Sequence, residues 1–275
     1  MFWEWRMFEL KKKFCLLYFM IVFLWMPMEA MASTMRISNP KIELELSPGE
    51  TYSGEITLEN PADEEVKARL YLEDWMYAGG GTGEKKFTPA ASTPLSASQW
   101  ITFNPVDSKL LPFGRLTARY TVTVPAAAKG AYYSVLFFET MLGATVSEEG
   151  ASVLVAARIG SLFFIQVKGT IDRSGQVQSV QIDPPQGNKP MEIITVFKNT
   201  GNVDITLGGN LLIMDSEGKM LGRGGLNKIY TFPQSTASGK TQWIGRLPKG
   251  KYQLLITYDL GKGKTEVKEE ALLIS

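Results

Sequence analysis

Few side chains in this 275-residue chain could do covalent or acid–base chemistry, and their spacing leaves them little to do. There is no histidine, which removes the commonest general base, the usual serine and cysteine triads and the commonest zinc ligand together. The single cysteine, Cys15, lies in the apolar amino-terminal segment. The carboxylates do not converge. Glu73 and Asp74 are neighbours in an alternating stretch, so they point to opposite faces of a strand. Asp63-Glu64-Glu65 is a turn cluster, and Asp215-Ser-Glu217-Gly218 has too few spaced oxygens for a helix-loop-helix calcium site. Gly79-Gly-Gly-Thr-Gly83 lacks the lysine and following helix of a phosphate cradle and reads as a flexible hairpin end. Nor does any acidic pair stand out as the two carboxylates of a glycosidase. The expectation is a non-enzymatic protein with no catalytic residues, no metal site and no cofactor.

The segment around Cys15 explains where such a protein works. Arg6 and Lys11-Lys12-Lys13 form a basic stretch, Phe14 to Pro27 is almost purely apolar, and Ala30-Met31-Ala32 is the small-x-small pattern of a signal-peptidase site. The apolar run is short of the roughly 20 residues a spanning helix needs. Residues 1–32 are therefore expected to be a cleaved signal peptide, the alternative being an uncleaved anchor. Cleavage leaves an extracytoplasmic protein, periplasmic or envelope-associated, with no stable membrane span, no disulfide and no thiol. Its basic and acidic residues balance, so nothing favours nucleic acid.

Past Ser33 the pattern is strand after strand. Lys41-Ile-Glu-Leu-Glu-Leu46 alternates strictly and is turned by Ser47-Pro-Gly-Glu50. Gly54–Glu59 and Val66–Tyr77 alternate too, a loop rich in Pro, Ser and Ala spans roughly 82–97, and longer strands follow at about 115–124, 131–140 and 152–167. After the polar stretch 169–175, strands recur near 177–182, 191–198, 204–214, 241–246, 252–258 and 265–274, separated by turns such as Asn199-Thr-Gly-Asn202 and Pro248-Lys-Gly250. No mature stretch holds a helical apolar period. The expected fold is all-β: two immunoglobulin-like antiparallel β-sandwich domains in tandem, residues 33–168 and 169–275.

Within the first unit, Lys41-Ile-Glu-Leu with its Pro-Gly turn, Thr57-Leu-Glu-Asn60 and the strand ending in Glu73-Asp-Trp75 resemble the amino-terminal domain of periplasmic pilus chaperones. So do Leu110-Leu-Pro112, the strand ending at Pro125, the Tyr/Phe-rich strand and the long apolar strand after it. The resemblance covers about residues 36–168; the second unit agrees in position and class. It implies a protein that holds an exported subunit by β-strand addition, with two basic residues gripping the client's carboxyl terminus. The matching positions are Lys41 and Arg158, where the family has arginine first and lysine second. An arginine binds a carboxylate as a planar fork and a lysine as a point charge. Without that role, Lys41 is a solvated charge and Arg158 a snorkelling surface residue. The paired arrangement also resembles exported wall-associated proteins that accompany WxL surface proteins. That alternative is an envelope-associated binding module for a surface protein or a cell-wall polymer.

The strand 152–167 is apolar on both faces for much of its length. Val153, Val155, Ala157 and Ile159 share one parity; Leu154, Ala156, Arg158 and Leu162 the other. Such a strand is either buried on both sides or offers its side chains to a partner. Under the second reading Val153, Val155, Ala157 and Ile159 bind the partner beside Lys41 and Arg158. Tyr132-Tyr133-Ser-Val-Leu-Phe137-Phe138 reads as a packed core strand, with a glycan platform as the other possibility. Trp75 and Trp243 fall in alternating strands and read as core. Trp100 follows the long loop and, if exposed, is the candidate for carbohydrate contact.

Overall fold

Strict alternation does locally what it should: in Lys41–Leu46 the side chains of Ile42 and Leu46 turn inward and the charged ones outward. The computed structural model describes residues 35–146, 152–187 and 189–274, with the side chains of 142–146 and 152–155 also outside the description. The expected signal peptide, residues 1–32, lies outside the described residues. No helix among those described is long and apolar enough to cross a membrane.

Ten strands come first: β1 (Arg36–Ile37), β2 (Lys41–Leu46), β3 (Thr51–Glu59), β4 (Val66–Tyr77), β5 (Lys85–Pro89), β6 (Ile101–Asn104), β7 (Asp107–Leu110), β8 (Arg115–Thr123), β9 (Ala131–Val146) and β10 (Ser152–Val167). They form two sheets, β1-β3-β8-β6 and β2-β10-β9-β4-β5, with β7 added to β4. Between the sheets lie Ile56, Leu58, Leu70, Val122, Leu136, Phe138, Phe163 and Ile165, all essentially without exposed surface. All these pairings are antiparallel except β2 with β10, which run parallel from Leu162↔Lys41 to Val167↔Leu46.

Eight more strands follow: β11 (Gly175–Asp183), β12 (Met191–Asn199), β13 (Ile205–Asp215), β14 (Met220–Gly225), β15 (Ile229–Thr231), β16 (Thr236–Trp243), β17 (Gly250–Gly261) and β18 (Lys264–Ile274). Their sheets are β11-β12-β16 and β14-β13-β17-β18, with β15 on β13, closed over Ile193, Phe197, Ile213, Leu254 and Ile256. The fold class is thus all-β, in immunoglobulin-like sandwiches.

Two local expectations change, and β14 adds a strand where none was expected. The strand expected at 241–246 lies at Thr236–Trp243, because its polar sequence has no strong face and its register comes from β12, Phe197 facing Ala237. The expected loop 82–97 contains β5, which pairs with β4 though Phe87 is its one large apolar residue. Glycine-rich β14 follows a tight turn and is held by β13. In all three, ladder hydrogen bonds from a strongly patterned neighbour override weak local preference.

Candidate partner-binding edge and cleft

Pairing divides β10 in two. Its ladder with β9 runs from Ser152 to Gln166, but its ladder with β2 covers only Leu162–Val167. The junction is marked by the Leu162 N–H donating to the Pro40 carbonyl (3.0 Å) and the Ser161 hydroxyl donating to that of Asn39 (2.6 Å). Among the described residues, 152–161 have a strand neighbour on one side only. Since the N–H of Leu162 faces β2, alternation turns the N–H and C=O of Gly160, Arg158 and Ala156 toward that same open side. An unpaired row of this kind is a template for another strand.

The side chains divide likewise. From 162 onward both faces are covered: Phe163, Ile165 and Val167 fill the first sandwich core, and Phe164 enters a second apolar cluster with Trp75, Tyr133, Val203 and Phe232. The Phe164 ring lies 4.8 Å from Trp75 in an edge contact, and the Trp75 indole N–H donates to the Phe163 carbonyl at 3.4 Å. Before 162, Ala157 is half-buried, Ile159 is half-buried against the first core, and Ala156 and Arg158 are exposed. Val153 and Val155 hold backbone positions opposite Thr145 and Gly143, with side chains outside the described residues.

Lys41 and Arg158 lie on the same face of this sheet but in different company. Lys41 pairs with Glu43 (2.7 Å) and caps the Phe164 ring at 4.5 Å. Arg158 pairs with Glu73 (3.1 Å) and stands over Phe137 (4.3 Å) and Phe87 (5.5 Å). Tyr71, whose hydroxyl donates to Glu139 (2.8 Å), is also in reach of the guanidinium. These partners hold the Arg158 pKa above the usual arginine value, the Tyr71 contact contributing most. Lys41 is opposite Leu162, four residues from Arg158, or about 13 Å along the strand. The fold therefore shares a face between them without bringing them together. The Lys41–Glu43 pair is open to solvent and is worth less than about 1 kcal/mol. Arg158 adds ring contacts, typically about 0.5–1 kcal/mol at exposed sites, and is the more committed of the two.

Lys41 also stands at the mouth of a cleft of about 430 Å³ lined by Glu43, Phe164, Arg173, Asp204 and Lys262 among others. Asp204 is tied to Tyr133 twice: the phenol donates to its carboxylate (3.0 Å) and accepts from its N–H (2.8 Å). Burial pushes the Asp204 carboxyl up, against the opposing pull of the Tyr133 hydrogen bond and the charges of Arg173 and Lys41. Arg173 in turn donates to the Asp204 carbonyl (2.9 Å). Sequence reasoning missed Arg173, Asp204 and Lys262. They come from a linker, a strand start and a turn, and nothing local distinguishes them from solvated charges.

The remaining candidates have structural places. Asp74 is fully buried, accepting from the Ser92 and Thr93 N–H groups (2.9 and 3.0 Å) and from the Thr93 and Ser96 hydroxyls, so it organises the loop after β5. Glu73, on the opposite strand face, serves Arg158. Trp100 is half-buried at the end of a single helical turn, its ring 4.1 Å from Tyr132 and packed against the first core. Tyr133, Phe137 and Phe138 are buried. Among the described residues no cluster of carboxylate or other ligating side chains could hold a metal ion.

No family model and no curated protein matches this chain. Among solved structures, it is similar to one reported under a chaperone–tip adhesin complex of CFA/I fimbriae biogenesis, at 14% identity over 86% of this chain and 99% of that one, TM-score 0.46. The Class 5 fimbriae chaperone CfaA matches at 14% identity over 87% of this chain and 100% of its own, TM-score 0.44. A chain of the CsuC–CsuE chaperone–tip subunit complex of Acinetobacter baumannii matches at 15% identity over 86% and 98%, TM-score 0.40. No residue role is carried over from them.

Proposed function

We propose that this chain is a non-enzymatic, exported binding protein that acts as a chaperone for another exported protein, holding it by β-strand addition along residues 152–161. The observation that carries the reading is the open side of β10 between Ser152 and Ser161, where the outward-facing main-chain groups of Ala156, Arg158 and Gly160 have no second strand to pair with among the described residues. A client strand laid there would extend the sheet, with main-chain hydrogen bonds supplying affinity and the side chains at Val153, Val155, Ala157 and Ile159 supplying choice. The resemblance of residues 36–168 to pilus chaperones gives the class, and the carboxyl end of the client is the ligand it implies for Lys41 and Arg158. Lys41 is the readier of the two, because its Glu43 partner is easily exchanged; Arg158 must first leave Glu73 and two rings.

The test is capture of co-expressed exported proteins by the affinity-tagged chain. Ala156→Pro removes an outward N–H at an exposed position where an edge strand tolerates proline. Capture is expected to fall at least tenfold while the urea midpoint stays put, and Lys41→Ala is expected to weaken capture more than Arg158→Ala. Undiminished capture by the Ala156→Pro variant would rule out strand addition at this edge.

A further inference from the structure

The run Gly79-Gly-Gly-Thr-Gly83 is absorbed neither by the binding edge nor by the cleft. It closes the β4–β5 hairpin, with the Ala78 N–H donating to the Glu84 carbonyl at 2.8 Å. Its four glycines all have left-handed backbone, φ +97, +67, +76 and +82 for Gly79, Gly80, Gly81 and Gly83. Turn geometry alone therefore asks for glycine at each. Their surroundings differ. A Cβ at Gly79 or Gly80 would meet nothing within 4 Å. One at Gly81 would clash with the Ser238 carbonyl oxygen, and one at Gly83 would stand 2.8 Å from the Tyr230 ring. The Gly81 carbonyl also accepts the Tyr230 N–H at 3.0 Å.

The tip of a hairpin from the first sandwich is thus seated, backbone against backbone, on β15 and β16 of the second. Beside it, Tyr77 packs on Tyr230 and Phe232 (5.4 and 5.2 Å), and Phe232 continues to Trp75 and Tyr133 (5.2 and 4.4 Å). A second clasp joins Gly130–Ala131 to Asn202, whose carbonyl accepts the Ala131 N–H at 3.0 Å and would lie 2.9 Å from a Cβ on Gly130. The side chain of Asn202 holds the linker as well, accepting the Asp172 N–H (2.7 Å) and donating to the Thr170 carbonyl (2.9 Å). The described residues from Met35 onward accordingly form one compact unit.

We propose that the Gly81–Gly83 tip is an intramolecular clasp that locks the two sandwiches into one cooperative body and so fixes the width of the cleft between them. The two open glycines supply the control, since Gly80→Ala carries the same backbone penalty as Gly81→Ala without touching the second sandwich. In urea titrations of the purified chain, Gly80→Ala is expected to lower the midpoint of a single transition. Gly81→Ala is expected to split the transition in two and to abolish the hydrogen-exchange protection of the Tyr230 amide. Gly81→Ala behaving as Gly80→Ala does, in both measurements, overturns the clasp. Should Gly81→Ala fail to fold, Tyr230→Ala decides: Gly83→Ala should then lower the midpoint by more than Gly80→Ala does in the native background, and by no more than Gly80→Ala does beside Tyr230→Ala. An equal loss in both backgrounds overturns the proposal.

Discussion

The two halves of β10 share one apolar pattern and meet opposite fates. Residues 162–167 have a strand on either side and a hydrophobic layer over each face; among the described residues, 152–161 have one strand neighbour, and their outward Ala156 and Arg158 meet solvent. The difference is made by other chain segments. β2 reaches only as far as Lys41, and the second sandwich brings Phe232 and Val203 over the Phe164 end alone. An apolar strand therefore becomes core or binding edge according to what the rest of the chain covers.

Substitutions along the strand should show the contrast as a gradient. The largest loss is expected from Phe164→Ala, about 3–5 kcal/mol of stability by urea unfolding, because the ring is enclosed by Trp75, Tyr133 and the Lys41 ammonium. A loss below about 1 kcal/mol would mean that the second layer does not pack as described. At the junction, Ile159→Ala should cost about 1–2 kcal/mol, less than a fully enclosed aliphatic residue, since only one face of it is covered. In the open half, Ala156→Asp should leave stability within about 0.5 kcal/mol while abolishing capture of a client, as judged by parallel melting and pull-down. Stability and binding would then separate along a single strand.

A smaller effect concerns charge. Asp204, beside the covered half, has a folded pKa raised by burial. It binds its proton more tightly folded than unfolded, so its contribution to stability is full below the unfolded aspartate pKa and is lost as pH rises through the raised value. Asp204→Asn keeps an acceptor for the Tyr133 hydroxyl and should flatten this decline. Midpoints measured across the acid range for both proteins would expose it; parallel curves would show that the carboxyl is not the source. Smallest of all, Glu73→Gln should shift stability by less than about 1 kcal/mol, because Arg158 is well exposed. The same change should raise capture of a client ending in a free carboxylate if Arg158 takes part.

Much of the architecture was legible before any coordinates. Lys41–Leu46 and Val66–Tyr77 declare themselves by alternation, and the strand 152–167 is found at its expected bounds. The weak strands were not legible: β5, β14 and β16 have too few apolar residues to show a face, and only hydrogen bonding to β4, β13 and β12 makes them strands. The site was half legible. Lys41 and Arg158 were named, but not that each already has a carboxylate partner. Arg173, Asp204 and Lys262 gave no signal, because a charge in a turn looks the same whether or not another sandwich closes over it.

What the order of residues determines unaided is the class: period-two alternation commits the chain to sheets and the lack of histidine removes imidazole chemistry, since these properties are local and additive along it. Which apolar face is shared with a neighbour, which strand side stays open and which glycines touch another backbone were decided only in the tertiary structure. Each depends on segments 40 to 160 residues apart meeting in space, as Gly81 meets Tyr230 and Lys41 meets Leu162, and no local pattern encodes a distance of that kind.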